Sequence, residues 1–206
     1  MGYGHCHDHS RKKLYRRILI GVGAIVVLVL FAIFLVWIIL RPTTPEFVLQ
    51  DTTLNAFNLS QACLLTTCMQ ITISTRNRNE RIGIYYEHVD IYASYRNQQI
   101  TKATELPRGI YMGQGEITVW SPLLNGNSMP ISPYLAAVMS EDFNADIVLV
   151  NIKVSAKLKW KVGTWMSGDY HLIVNCPAYF TSSKQDVFPL SVGIKYPFGR
   201  SCSVEV

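Results

Sequence analysis

Beyond residue 40 the sequence holds two histidines, His88 and His171, thirteen Asp or Glu residues and four cysteines. Acid–base or nucleophilic chemistry would need a base, a nucleophile or a carboxylate pair in a recognisable setting. There is no Gly-x-Ser-x-Gly, no His-Glu-x-x-His, no phosphate-cradling glycine loop and no paired-cysteine metal spacing. Glu87, His88 and Asp90 form the densest titratable group. Successive residues of a strand point to opposite faces, which predicts that Glu87 and His88 are separated. His171 falls on the polar side of an alternating stretch and reads as a surface residue. In the N-terminal tail, His5, Cys6, His7 and His9 are soft-metal ligand types with nothing around them to impose a geometry. These observations predict a protein that binds rather than catalyses, with no cofactor and no metal. A wall-modifying hydrolase using two spaced carboxylates is the enzymatic alternative.

Binding chemistry is easier to see. Lys153, Lys157, Lys159 and Lys161 share the polar side of one alternating segment, spaced at about 7 Å per two residues of strand. Such a row suits an acidic polysaccharide or an anionic headgroup, held in a salt-sensitive way. The competing reading is that the lysines keep a strand soluble and discourage edge pairing. Asn58-Leu59-Ser60 is the one N-glycosylation sequon. Of the four cysteines, Cys176 ends one strand candidate and Cys202 opens the last, which predicts a Cys176–Cys202 bridge; Cys63 and Cys68 stay unassigned.

What positions these residues begins with a membrane span. Ile18 to Leu40, ILIGVGAIVVLVLFAIFLVWIIL, contains no charge, amide or proline. As a helix it is ~35 Å long, enough to cross a hydrocarbon core of ~30 Å. Arg11, Lys12, Lys13, Arg16 and Arg17 precede it and Arg41 follows, an asymmetry that puts the N-terminus in the cytosol. A cleaved signal peptide is disfavoured by the length of the run and the lack of a small-residue cleavage site. Residues 1–17 carry +4 of the net charge of +5. The basic character therefore belongs to the juxtamembrane tail and gives no support to nucleic-acid binding.

The expected organisation is a cytosolic tail (1–17), a signal anchor (18–40), a Pro-containing stalk (41–46) and one domain (47–206). Period-two stretches predict strands around Phe47 and Leu49, over 54–59 after an Asp-Thr-Thr turn, and over 69–74, 89–96 and 116–120. Ile147 to Lys161 gives the clearest one, with Val148, Val150, Ile152, Val154, Ala156, Leu158 and Trp160 on one face. Gly168 to Cys176 alternates again, and Ser203 to Val206 is a weak last strand. Ser132 as N-cap and Pro133 in the first turn predict a short helix through Ser140. Seven or eight strands and one helix in this length predict a single mainly-β sandwich.

Several stretches together resemble the plant family of harpin-induced and non-race-specific disease-resistance-like proteins, whose ectodomain is a late embryogenesis abundant group-two domain. They are Arg41-Pro42 through Phe47-Leu49, Asn77-Arg78-Asn79-Glu80-Arg81-Ile82-Gly83-Ile84-Tyr85-Tyr86, and Val119-Trp120-Ser121-Pro122. Lys161-Val162-Gly163-Thr164-Trp165 and Asn175-Cys176-Pro177 complete the set. The family motif centres here on Asn77, Asn79, Arg81, Gly83, Tyr85 and Tyr86, with Arg78 where the family has proline. Losing that proline frees a backbone N–H and removes a pre-set turn. The resemblance implies a fibronectin-III/immunoglobulin-like sandwich, single-pass plasma-membrane residence with the domain outside, and a non-enzymatic role in pathogen or stress responses. Expected partners are the lipid bilayer and either cell-wall polysaccharide or other membrane proteins. A structural tether between membrane and wall, or between two membranes, is the alternative role.

Overall fold

A computed structural model describes residues 6–39, 42–60, 62–145, 148–180 and 200–205. The chain divides after Arg41 into two compact units. The first is one helix, α1 (Cys6–Ile39). Its segment Tyr15–Phe34 has mean hydropathy 2.8 and is exposed throughout, and it is the one described helix long and apolar enough to cross a membrane. The helix runs back through the basic tail; Leu40, the expected end of the span, lies outside the described residues.

The second unit is mainly β, as the alternation predicts. In chain order its strands are β1 (Glu46–Leu59), β2 (Leu64–Arg76), β3 (Gly83–Tyr95), β4 (Gln98–Gln99), β5 (Thr104–Glu105), β6 (Ile110–Met112), β7 (Ile117–Trp120) and β8 (Leu123–Pro130). After the helix α2 (Pro133–Asn144) come β9 (Val148–Val162), β10 (Trp165–Met166), β11 (Tyr170–Phe180), β12 (Arg200–Ser201) and β13 (Ser203–Glu205). Among the described residues they form two antiparallel sheets, one ordered β12-β1-β2-β7 with β8 also on β2. The other runs β13-β11-β9-β3-β4, with β5 and β6 on β3 and β10 on β9. Phe47, Leu49, Leu54, Met69, Ile71 and Ile73 from the first sheet meet Ile84, Tyr86, Ile91, Ile152, Val154 and Leu158 from the second as the buried core.

Three departures from the expected elements have local causes. The Asp51-Thr52-Thr53 turn is part of a continuous strand, because irregularities between Leu49 and Asp51 and between Leu54 and Ala56 absorb the break in alternation. The helix α2 continues past Ser140 to Asn144. Its first turn is capped as expected, the Ser132 hydroxyl accepting from Leu135 N at 3.2 Å. At its other end Asp142 accepts from the Tyr95 hydroxyl, which fixes the helix to the far end of β3.

The third departure is β8, a strand over residues to which the alternation assigns no element. It is a strand because Gly126 lets it lie against the backbone of residue 100. A Cβ there would stand 2.3 Å from Ile100 O and 3.1 Å from Thr67 Cγ2. Gly126→Ala should therefore cost about 1–3 kcal/mol, as overpacking does. A fall in the thermal midpoint of about 2–4 °C per kcal/mol checks this.

Candidate functional site

The outward face of the second sheet gathers most of the chemistry in the domain. In β3 the pairing to β9 slips between Tyr86 and His88, so Glu87 is an extra residue with no partner across the ladder. This bulge overturns the expectation that Glu87 and His88 are separated, since both lie half-buried between inward Tyr86 and inward Val89. Tyr85, Glu87, His88 and Asp90 consequently share one face. Opposite them stand the lysines of β9, and the β5–β6 loop supplies Arg108 and Gly109. Tyr85, Glu87, His88, Arg108, Gly109 and Lys157 line an open groove of about 500 Å³.

Every charge in the groove has a partner. His88 Nε2 lies 2.7 Å from Asp90 Oδ2 and its Nδ1 3.0 Å from Glu105 Oε1. Both ring nitrogens can donate at once only when the ring carries both protons. Arg108 Nε reaches Glu105 Oε1 at 2.6 Å, and this contact holds the Glu105 carboxyl below the usual carboxylate range. Lys157 Nζ lies 2.8 Å from Asp169 Oδ2 and 3.3 Å from Glu87 Oε2. Lys159 donates to Glu87 and lies 3.3 Å from Asp169 Oδ1.

The lysine row is thus less cationic than its spacing suggests. Lys157 and Lys159 are neutralised in this four-membered network, and Lys161 Nζ stands 4.9 Å from the centroid of the Tyr111 ring. Neither Lys161 nor Lys153 has a carboxylate partner among the described residues. Glu87 is held below the ordinary carboxylate range, first by Lys159 and then by Lys157, and Asp169 first by Lys157. Lys157 and Lys159 are raised in return, chiefly by Asp169 and Glu87 respectively.

The pH signature follows from these directions. A depressed carboxylate contributes stability that is complete above its unfolded value of ~4 and is lost as pH falls through the folded value. The raised lysines contribute below ~10.4 and lose that contribution as pH climbs through their folded values. Wild type should therefore lose thermal stability as pH drops below about 4. A Glu87→Gln/Asp169→Asn variant should show a shallower loss over the same window in melting curves. These side chains are all partly reached by solvent, so the difference should be small and should shrink in salt.

A second cluster sits where the stalk meets the sandwich. Asn77 is fully buried; its Nδ2 donates to Ile82 O at 2.7 Å and to Gly113 O at 2.8 Å. Its Oδ1 accepts from both the N and the Nδ2 of Asn79 at 3.0 Å. Asn79 closes a clasp on the stalk: its Oδ1 accepts from Thr43 N at 2.8 Å and Thr43 Oγ1 at 2.9 Å, and its Nδ2 donates to Thr43 O at 2.8 Å. Between them Arg78 points outward and pairs with Glu46 Oε2 at 2.9 Å.

Two curated Arabidopsis thaliana proteins match almost the whole chain. NDR1/HIN1-like protein 1 is 44% identical over 97% of this chain and 97% of its own. NDR1/HIN1-like protein 12 is 48% identical over 88% and 87%. The chain belongs to the NDR1/HIN1-like family. No family model matches it. A solution structure described as a late embryogenesis abundant (LEA) protein shares 11% identity, covering 80% of this chain and 87% of that one at a TM-score of 0.33. The sandwich itself is read from the strand pairing above.

Within this NDR1/HIN1-like chain the motif residues have separate positions. Asn77 and Asn79 form the clasp, and Arg81 is exposed. Gly83 leaves room for the Tyr111 ring, whose hydroxyl oxygen would lie 2.6 Å from a Cβ there. Tyr85 lines the groove. Tyr86 is in the core, edge-on to Trp120 at 5.6 Å, and burial pushes its hydroxyl up to about 12. The sequon residue Asn58 is exposed near the end of β1 away from the stalk.

Cys176 and Cys202 are joined by a disulfide, and Cys63 and Cys68 are free. The bridge lies where the terminal segment passes from β12, paired with β1, to β13, paired with β11. His171 is exposed on β11, opposite Lys157. Neither the groove nor the clasp was visible as a unit in the sequence. The Asn-x-Asn spacing is the one signal that pointed toward the clasp.

Proposed function

We propose that this NDR1/HIN1-like protein is a single-pass, non-enzymatic protein of the plant plasma membrane that acts in pathogen or stress responses. Its N-terminus is cytosolic, its sandwich is outside, and the groove beside Glu87 and His88 is its recognition surface. The observation that carries this reading is a disulfide-bonded unit that follows, along the chain, an apolar helix preceded by five basic residues. A bridge of that kind belongs to an oxidising space, and the basic flank belongs to the cytosol.

The same groove argues against the hydrolase alternative. Glycoside hydrolysis needs one carboxyl raised so that it holds a proton near neutrality. Glu87, Glu105 and Asp169 are all pushed the other way by their cationic partners. A paired, near-neutral surface suits recognition of a polar ligand that exchanges these internal pairs for its own.

The test has two arms in intact plant cells. A C-terminal tag should be removed by external protease; a protected tag would overturn the topology. Proximity labelling from the ectodomain should recover partners that Tyr85→Ala/Arg108→Ala does not. An unchanged partner set would remove the groove from the reading.

A further inference from the structure

The end of the sandwich that receives the stalk carries apolar side chains that the core does not use. In the β9–β10 turn Val162 pairs with Trp165 and Lys161 with Met166. Trp165 is 63% exposed and Met166 40% exposed. Lys161 stands opposite Gly83 at the start of β3. The loop just before Gly83 holds Asn79, which is clasped to Thr43. Tyr111, half-exposed, lies beside Lys161, and exposed Ile117 pairs with Arg76 at the end of β2. The strand registers therefore bring Trp165, Met166, Tyr111 and Ile117 to the end at which Thr43 is fastened.

Chain length brings that end close to lipid. Leu40 closes the apolar run and Thr43 is fixed to the sandwich, so the connection spans at most about 10 Å. The headgroup layer on each side of a bilayer is itself about 5–8 Å thick. An exposed indole gains from such a layer, where its ring is half desolvated and its N–H stays wet. Charge selects the surface only weakly: Arg76, Arg78, Arg81 and Lys161 at this end stand against Glu46, Glu80 and Glu116, an excess of one positive charge.

We infer that the stalk end of the sandwich rests on the outer headgroup layer of the membrane its own helix crosses, with Trp165 and Met166 of the β9–β10 turn inserted among the headgroups. The inference rests on the membrane-anchor reading above. The contact is led by the indole and thioether and needs no anionic lipid. It holds the recognition groove, on the outward face of the same sheet, close to the bilayer.

The test uses the full chain in phosphatidylcholine liposomes whose acyl chains are brominated next to the headgroup. A Trp37→Phe background removes the tryptophan of the span. That leaves Trp120 and Trp160, buried at 7% and 5% exposure, and Trp165. The bromolipid should quench emission several-fold more in Trp37→Phe than in Trp37→Phe/Trp165→Phe, and high salt should leave the difference in place. Equal quenching in the two proteins, with both floating with the liposomes, overturns the inference and leaves the anchor standing. Quenching that high salt abolishes overturns the indole-led contact. A chain that fails to float overturns the anchor and the inference with it. Trp165 is exposed, so both variants should melt together, and their shared midpoint certifies the comparison.

Discussion

Replacing Asn77 with alanine should lower the melting temperature of the protein by about 10 °C. The side chain is fully buried and bonds four groups: Ile82 O, Gly113 O, and the N and Nδ2 of Asn79. Alanine would leave at least two of them inside without a partner, at about 1–3 kcal/mol each. A loss of about 3–4 kcal/mol at about 2–4 °C per kcal/mol gives the stated shift. Asn77→Asp should be no milder, since it would set an oxygen against two carbonyl oxygens. Arg78→Ala, which removes only an exposed pair with Glu46, should change stability by less than about 1 kcal/mol. Differential scanning calorimetry of the three variants checks the order. An Asn77→Ala midpoint within a degree or two of Arg78→Ala would show that the asparagines are not what holds the stalk.

Removing the Cys176–Cys202 bridge is the other change expected to be large. It closes a separation of 26 residues, worth about 3 kcal/mol in the loop-entropy account. Its position adds to this. The terminal segment pairs with β1 at Val48 and Leu49 and then with β11 at 173–175, so it covers one edge of each sheet. Without the bridge those two edges should open more often, and open edges pair with other chains. Cys176→Ala/Cys202→Ala should melt about 6–12 °C lower. It should also exchange the amides of Val48 and Leu49 faster and aggregate sooner on heating. A reductant should move wild type toward the variant and leave the variant where it is. A wild type indifferent to reductant would remove the bridge from the account.

How far the molecule could be read in advance varied with the physics of each part. The span and β9 were legible because their signals are long: an apolar run that no soluble surface tolerates, and a face alternating from Val148 to Trp160. Ser132 and Pro133 marked the start of α2 because capping is local chemistry. By contrast, β8 was missed because Gly126 is there for the residue 100 backbone, a neighbour that sequence does not show. The groove was missed for one reason, the extra residue at Glu87. Alternation counts residues, and a bulge breaks the count without leaving a composition signal. Lys157 and Lys159 were visible as a row, but Glu87 and Asp169, which occupy them, come from elsewhere in the chain.

The clasp between Asn79 and Thr43 has a mechanical consequence. Tension on the helix would reach the sandwich at Thr43 and pass directly into β1, whose pairing with β2 runs from Glu46 to Leu59. Antiparallel hydrogen bonds lie across the strand direction, so a pull along β1 loads that ladder in shear, and many bonds must give way together. A strand peeled from its tip would surrender them one at a time. Held this way, the domain should resist a pull on the helix and then yield abruptly. In single-molecule pulling from the helix end, Asn79→Ala should give way at the stalk before the sheets do, while wild type should hold until β1 shears from β2.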